Sequence, residues 1–462
     1  QAITVSTPAP GGGTSTPPAV LTIALPVTPP RITVQSTWSF PSRTRADAFA
    51  QADYRLVGLP GDSTIPVTAI LRGTPETDWR VAWDNGTSTN YLVRHSSTAP
   101  LSFGLGKSYW ILSKANVTLD LNLPAVTVNN RNQAEIPLHP GWNMITNPFS
   151  GNVQWSTVVA ANAGIENALW SFSGAWSTGT QMIPYMGYYF HNGQALGALR
   201  IPRPGALPKA AVNTDHSVFA WKVDVALKQA DIVDSDLSFG VFRDTAQRPA
   251  PLHKPRGLAG IPETFFRRTD IDPAYPDFAT DFRSPSSEVE AWEFRVTGVQ
   301  GIASSLTFRG LAAVPPNVRV VLYDEQAETH RDLRDDSVYA ITLHLPESGY
   351  RVLAGEQEAT QKLLDLLAPQ IFSLGPNFPN PFNPRTTIPL VIPTMTQAQV
   401  EVFSILGEHV ATLHRGSIEP GRHWLEWDGL NSDGKPVSSG IYMVRVRTED
   451  GKAAVLRVAL VR

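Results

Sequence analysis

The feature that most constrains the fold of this chain is a series of strand-length apolar runs in its last part, each ended by a turn signal. In Gln399–Ser404 and Ile441–Val446 apolar and polar residues alternate, which is the period of a strand with one buried face. Leu406-Gly407 and the segment 431–434 are typical of hairpin turns. The sequence therefore predicts a small β-sandwich here. Its predicted strands are Thr387–Ile392, Gln399–Ser404, Val410–Leu413, His423–Trp427, Ile441–Val446 and Val455–Val461.

A proline-rich segment leads into these strands. Prolines recur at short intervals in it, and the residue before a proline is pushed out of the helical region, so this lead-in is predicted to be extended. The segment consists of Asn377, Phe378, Pro379, Asn380, Pro381, Phe382, Asn383 and Pro384.

The lead-in and the strands after it also carry a resemblance to a known family. Five segments resemble the type A C-terminal sorting domain of the type IX secretion system and the immunoglobulin-like module of hook-capping proteins. They are the lead-in, 400–408, 427–429, 439–442 and 456–462. This resemblance implies export across a Gram-negative outer membrane, the type IX secretion machinery as a partner, and an extracellular or outer cell-surface location. Besides the lead-in, the residues that match are Gly407, Trp427, Asp428, Gly440, Tyr442 and Arg462.

Composition narrows the remaining function classes. With 462 residues the chain is long enough for several domains. Its net charge of −3 and lack of a basic stripe argue against nucleic acid as a partner. The absence of cysteine excludes disulfides and thiolate metal sites. The longest apolar run, Ala19–Leu25, is too short for a membrane helix. Because residue 1 is Gln, we expect either a removed signal peptide or a fragment of a longer protein.

The first part of the chain is predicted to be an extended arm over residues 1–36. Its Pro-, Gly- and Thr-rich composition is typical of a linker. Apolar residues alternate in one stretch of it, which suits insertion into the edge of a sheet in another copy of the chain. These candidate docking residues are Val20, Leu21, Ile23 and Leu25.

An internal repeat follows the arm. The aromatic stretch at 79–83 corresponds to that at 169–176, and the Gly-rich aromatic strand at 104–111 corresponds to 184–190. The repeat offset predicts two β-modules, at 37–130 and 131–208. A third region, 209–368, is predicted to be a β-sandwich that has a long loop and ends in one short linker helix, Glu356–Leu367. The sorting domain then occupies 369–462.

The predicted fold class is therefore all-β, with serial β-sandwich or immunoglobulin-like domains, an extended N-terminal arm and one short linker helix. No sequence motif of a nucleophilic, metal-dependent or nucleotide-dependent enzyme is present, so we expect no enzymatic activity. The histidines show no metal-like spacing, and no cofactor is expected except calcium. The candidate calcium ligands are Asp270, Asp272, Asp277 and Asp281.

Three functions remain open at this point. The first is an extracellular structural or adhesive protein, with filament assembly through the arm and with other copies or cell-surface components as partners. The second is a set of accessory modules of a larger secreted hydrolase. The third is a carbohydrate-binding protein, which requires the Trp and Tyr rings of the second module to be exposed and coplanar. Their alternative role is cross-strand packing.

Overall fold

The fold is described from a computed structural model, which covers residues 30–41, 50–62, 64–87, 89–205, 218–244, 248–258, 260–286 and 288–462. Many short antiparallel strands and few helices confirm the predicted all-β class. The candidate docking residues Val20, Leu21, Ile23 and Leu25 lie outside the described residues. Within the described ranges, no helix is both long and apolar enough to cross a membrane.

The first module has three small antiparallel sheets around one core. The sheets have the orders β1-β8, β2-β7-β4-β5 and β3-β6. Its central strand β7 is buried along its whole length. The strands are β1 (Arg31–Trp38), β2 (Arg55–Gly58), β3 (Ile65–Pro66), β4 (Trp79–Asp84), β5 (Leu92–Arg94), β6 (Ser102–Phe103), β7 (Ser108–Ser113) and β8 (Val117–Pro124), with helix α1 (Val67–Ile70) after β3.

The second module repeats this arrangement, with the sheet orders β9-β16, β10-β15-β12-β13 and β11-β14. Each strand thus has a counterpart in the first module, as the sequence repeat predicts. The strands are β9 (Gln133–Pro137), β10 (Gly141–Thr146), β11 (Val153–Gln154), β12 (Trp170–Phe172), β13 (Trp176–Thr178), β14 (Gln181–Met182), β15 (Gly187–Asn192) and β16 (Ala198–Pro202), with helix α2 (Trp155–Ala161) after β11.

Equivalent strands of the two modules meet face to face with reciprocal contacts. The backbone N–H of Gly58 donates to Tyr185 O at 3.2 Å, and the backbone N–H of Thr146 donates to Gly106 O at 2.9 Å. A Cβ atom on Gly58 would lie 2.5 Å from Thr146 Cβ, and one on Gly187 would lie 2.6 Å from Ser108 Cβ. Only glycine allows this approach, so the paired glycines bring the two modules together as an internal pseudo-dimer.

Strand β1 crosses the predicted boundary between the arm and the first module at residue 36. It pairs in register with β8 from Arg31↔Pro124 to Trp38↔Val117. Val34 and Trp38 of β1 are buried in the core of the module. Residues 31–36 are therefore part of the first module, because the alternation of their apolar residues gives β1 one face to bury.

The third region is a two-sheet sandwich with the strand orders β21-β18-β17-β23-β26 and β20-β19-β22-β27-β24-β25. Its core is built from residues of both sheets, including Trp221, Phe239 and Trp292. The strands are β17 (Phe219–Gln229), β18 (Ile232–Phe242), β19 (Glu263–Arg267), β20 (Asp277–Phe278), β21 (Thr280–Arg283), β22 (Glu290–Thr297), β23 (Ala303–Arg309), β24 (Arg319–Asp324), β25 (Thr329–Asp332), β26 (Val338–Thr342) and β27 (Glu347–Gly355).

The predicted linker helix is present as α3 (Gln357–Leu367). Leu364 packs on Val321 and Leu353 at the outer face of the six-stranded sheet. Helices α1 and α2 were not predicted, because they span only 4 and 7 residues, too few for a helical period to repeat.

The terminal domain is a sandwich of two sheets with the orders β28-β29-β32 and β31-β30-β33-β34. All six predicted strands are present, and the two sheets enclose a single apolar core. The strands are β28 (Ser373–Leu374), β29 (Thr386–Ile392), β30 (Thr396–Ser404), β31 (His409–Ile418), β32 (Gly421–Trp427), β33 (Gly440–Thr448) and β34 (Ala453–Leu460).

Candidate functional site

The proline-rich lead-in closes one end of the terminal domain. Asn377 is buried, and its side-chain amide donates to Pro379 O at 3.1 Å and to Thr386 Oγ1 at 2.8 Å. The peptide bonds before Pro379, Pro381 and Pro384 are cis. The lead-in is non-helical, as predicted, but it bends at 379–381 and at 383–384 and so is not extended along its length. Asn377 ties it to the first residue of β29.

An aromatic cluster lies beneath the lead-in. The ring of Phe382 packs on Trp427 with centroids 5.3 Å apart, and Trp427 packs edge-on against Tyr442 at 5.0 Å. The indole N–H of Trp427 donates to Leu430 O at 3.0 Å, and the Tyr442 hydroxyl donates to Ser438 O at 2.7 Å. These matching residues therefore stabilise the fold of the domain.

The last residues of the chain bind at the end of the terminal domain that the lead-in closes. The backbone N–H of Phe382 donates to Ala459 O, and that of Val461 donates to Phe382 O, both at 2.9 Å. Asn380 Oδ1 accepts the N–H of Ala459 at 3.1 Å, and Arg462 donates from Nη2 to Gly429 O at 2.9 Å. The lead-in and the carboxyl-terminal strand are thus held together.

Other matching residues are free to face a partner. Phe378 is 80% exposed, and Leu406 is 82% exposed at the β30–β31 turn, where Gly407 adopts a φ of 85°. Ser404, which precedes this turn, pairs with Tyr442 of the aromatic cluster, so the turn lies at the same end of the domain as the lead-in. Gly440 is also exposed there, and Asp428 Oδ1 accepts the N–H of Leu430.

The four candidate calcium ligands are not gathered around one position. Asp270 and Asp281 both pair with Arg268, at 2.7 and 3.0 Å. Asp277 pairs with Arg267 at 3.1 Å. Asp272 instead accepts the backbone N–H groups of Ala274 and Tyr275. Arginine side chains thus occupy the place that a cation would take beside three of these carboxylates.

The aromatic rings of the second module do not form a platform for a sugar. Six of them lie in two cores, one within the module and one shared with the first module and the third region. A seventh, Tyr185, is half-buried against the core of the first module. The buried rings are Trp142, Trp155, Trp170, Trp176, Tyr188 and Tyr189. Their role is packing, which removes the observation that a carbohydrate-binding protein required.

A cluster of two histidines and a glutamate was missed by the sequence analysis. Nδ1 of His191 lies 3.2 Å from Glu166 Oε2, and Nδ1 of His253 lies 3.3 Å from the same oxygen. The two imidazole rings stack with centroids 4.0 Å apart. Among the described residues, these three alone form a group whose positions suit a metal ion. They come from distant parts of the chain, so no local spacing announces them.

Asp272 Oδ2 lies 3.4 Å from Nε2 of His253, and the carboxylates of Asp272 and Glu166 are both held in the ionised form. Burial raises the pKa of Glu166, but hydrogen bonds with His191 and His253 outweigh it and lower the pKa overall. Burial likewise raises the pKa of Asp272, and the N–H groups of Tyr275 and Ala274 reverse this effect and lower it. The cluster therefore concentrates negative charge next to the two imidazoles.

A buried ion pair lies next to the cluster on the same extended segment. Lys254 Nζ donates to both oxygens of Asp234, at 2.6 and 2.8 Å. Nearby, Glu263 Oε1 accepts the indole N–H of Trp176 at 2.7 Å. The Trp176–Glu263 hydrogen bond joins the second module to the third region, and the Lys254–Asp234 pair lies within the third region. These contacts pack part of the long loop predicted over 246–285, of which 248–258 and 260–285 are described.

Comparison with protein families gives a match in the terminal domain. The family model described as FlgD Ig-like domain matches residues 391–452. No curated protein sequence matches the chain.

Several solved structures are also similar to parts of the chain, and three of them have TM-scores below 0.2. PorZ of Porphyromonas gingivalis, described as an essential bacterial surface component of the type IX secretion system, is 19% identical. The match covers 24% of this chain and 14% of PorZ, with a TM-score of 0.15. Dimeric latent PorU of the same organism is 10% identical, covering 88% of this chain and 29% of PorU with a TM-score of 0.18. A polysaccharide lyase is 8% identical, covering 52% of this chain and 39% of the lyase with a TM-score of 0.14.

Proposed function

We propose that residues 369–462 are the address by which the type IX secretion machinery exports this chain to the cell surface or the medium. The observation that carries the proposal is the similarity of 391–452 to the FlgD immunoglobulin-like domain, directly after the matching lead-in 377–384. Phe378 in the lead-in and Leu406 in the β30–β31 turn are largely exposed apolar side chains. We propose that they contact the secretion machinery.

The exported part is proposed to be structural or adhesive, without enzymatic activity. The two modules and the third region share a core, so we propose that they form a rigid spacer between the amino-terminal segment and residues 369–462. The alternating apolar residues of 20–25 are proposed to dock on the sheet edge of another copy, which would link copies head to tail. The ion pairs of Asp270, Asp277 and Asp281 with arginine give no support to calcium binding by these residues.

The export proposal is tested by deleting residues 377–462 and comparing secretion in a competent cell. We expect the truncated chain to stay in the periplasm while the full chain reaches the surface or the medium. Periplasmic solubility and an intact protease-resistant core show that the truncated chain still folds. Secretion of the truncated chain at the level of the full chain would refute the proposal.

A further inference from the structure

The cluster of Glu166, His191 and His253 joins three separate segments. Glu166 lies between α2 and β12, His191 lies in β15, and His253 lies in the extended segment before β19. One ligand atom from each side chain lies within 4.8 Å of the other two. His191 is only 4% exposed, and the other two side chains are largely buried. A built interior site, rather than a set of surface charges, holds these donors.

Two ring nitrogens of the cluster are buried without a hydrogen-bond partner, Nε2 of His191 and Nε2 of His253. Both histidines direct Nδ1 at Glu166 Oε2, so a neutral ring that donates there leaves Nε2 as a bare acceptor. In that tautomer Nε2 of His191 is a buried acceptor that no donor reaches. Its ring neighbours, Trp142 and Tyr275, have π faces that accept a weak hydrogen bond from an N–H but cannot donate one.

The distances suit a shared metal ion. Zinc bonds of about 2.0–2.1 Å to nitrogen and oxygen place neighbouring tetrahedral ligands about 3.3 Å apart. The two Nδ1 atoms lie 3.2 and 3.3 Å from Glu166 Oε2, which matches this spacing. A metal held by both Nδ1 atoms would leave a proton on each Nε2, and His191 would then carry a donor rather than an acceptor toward the aromatic rings.

Contacts from neighbouring groups orient the side chains of Glu166 and His253, as happens at metal sites. The backbone N–H of His253 donates to Glu166 Oε1 at 2.7 Å, which turns Oε2 toward the two imidazoles. Nε2 of His253 lies 3.4 Å from Asp272 Oδ2, within ion-pair distance but too poorly aligned for a hydrogen bond. A carboxylate behind a metal-bound histidine fixes its tautomer and strengthens binding.

We propose that Glu166, His191 and His253 bind one divalent transition-metal ion, with zinc as the best fit. Two imidazoles and one carboxylate are a donor set that zinc uses, whereas calcium and magnesium prefer oxygen donors only. Because Glu166 and His191 belong to the second module and His253 to the third region, the ion clamps these two parts together. The bound ion stabilises the assembled chain by mass action.

The test begins with the full chain stripped of metal by a chelator. Calorimetric titration with Zn²⁺ is expected to give one bound ion per chain, and Zn²⁺ is expected to raise the thermal unfolding temperature. Titration with Co²⁺ is expected to produce the visible absorption of a four-coordinate ion with nitrogen and oxygen ligands. Both measurements use the unaltered protein, so they do not depend on the folding of any variant.

Variants then assign the site. Glu166→Gln keeps the size and the acceptor for the His253 N–H, and is expected to weaken Zn²⁺ binding by at least about 100-fold, since a charged ligand is lost. Asp272→Asn removes a negative charge 3.4 Å from Nε2 of His253 and is expected to weaken binding less than Glu166→Gln does. The matched control is His409→Gln, which removes a histidine 3.8 Å from Glu401 in the terminal domain and should leave binding unchanged.

Two results would overturn the proposal. One is the absence of stoichiometric Zn²⁺ and Co²⁺ binding by the unaltered chain, which would make the cluster a hydrogen-bonded ion pair. The other is Zn²⁺ binding that Glu166→Gln leaves intact or that His409→Gln removes. Neither result bears on export, because the cluster lies outside residues 369–462.

Discussion

At the scale of single residues, burial changes the acid–base chemistry of Glu263. Burial raises the pKa of this carboxyl group to about 8, although Lys254 and the indole of Trp176 act in the opposite direction. The folded chain therefore keeps a proton on Glu263 at neutral pH, whereas the unfolded chain releases it near pH 4.5. Because the folded state binds the extra proton, the contribution of Glu263 to stability is full below pH 4.5 and is lost as the pH rises through about 8.

Replacing Glu263 with Gln should remove this dependence. Glutamine keeps an oxygen that accepts the Trp176 N–H but cannot ionise. Across pH 5–8 we expect the free energy of unfolding of the native chain to fall more steeply than that of Glu263→Gln, by up to about 1.4 kcal/mol per pH unit. Thermal unfolding at a series of pH values measures the difference, and Asp236, whose pKa burial raises to about 6, is unchanged in both proteins. Parallel pH profiles would contradict this reading of Glu263.

At the scale of elements, local patterns predicted the strands well and the sites poorly. The strands of the terminal domain alternate apolar and polar residues because one face is buried, and all six were predicted. Strand β19 was missed because Glu263–Phe266 is buried on both faces and shows no alternation. The metal-like cluster was missed for a different reason: Glu166, His191 and His253 meet only through packing between domains, which sequence spacing does not encode.

The β30–β31 turn carries the second prediction. Leu406→Asp removes an exposed apolar side chain and should change the stability of the domain by no more than about 0.5 kcal/mol. We expect it to reduce export strongly, because it alters the proposed contact surface without altering the core. The control is Met395→Asp, since Met395 is 64% exposed and lies in the β29–β30 turn at the opposite end of the domain. Equal export of both variants, measured by cell fractionation, would contradict this assignment of the surface.

At the scale of the whole molecule, the two modules pack as an internal pseudo-dimer and the third region packs on both. Leu258 and Ile261 of the third region share a core with Trp110 of the first module and Trp142 of the second. We therefore expect these parts to behave as one unit, with the amino-terminal segment and the address domain at the two ends of the sequence. Any link between copies must then use surfaces outside this shared core.

Deletion of residues 1–29 tests whether the amino-terminal segment links copies of the chain. This deletion leaves strand β1 and its pairing with β8 complete, so the first module should remain folded. We expect the full chain to assemble with rising concentration and the shortened chain to stay monomeric, as measured by light scattering. An assembly state that the deletion leaves unchanged would contradict docking through 20–25.

The most direct test of the central claim is to transfer the address. Residues 369–462 are fused to a periplasmic reporter that is not otherwise exported, and the reporter is assayed in the medium and at the surface of type IX-competent cells and of cells that lack the secretion machinery. The account predicts export of the fusion from competent cells alone, and loss of that export when the fusion carries Leu406→Asp. Retention of the fusion in the periplasm of competent cells, or equal export from both strains, would contradict it.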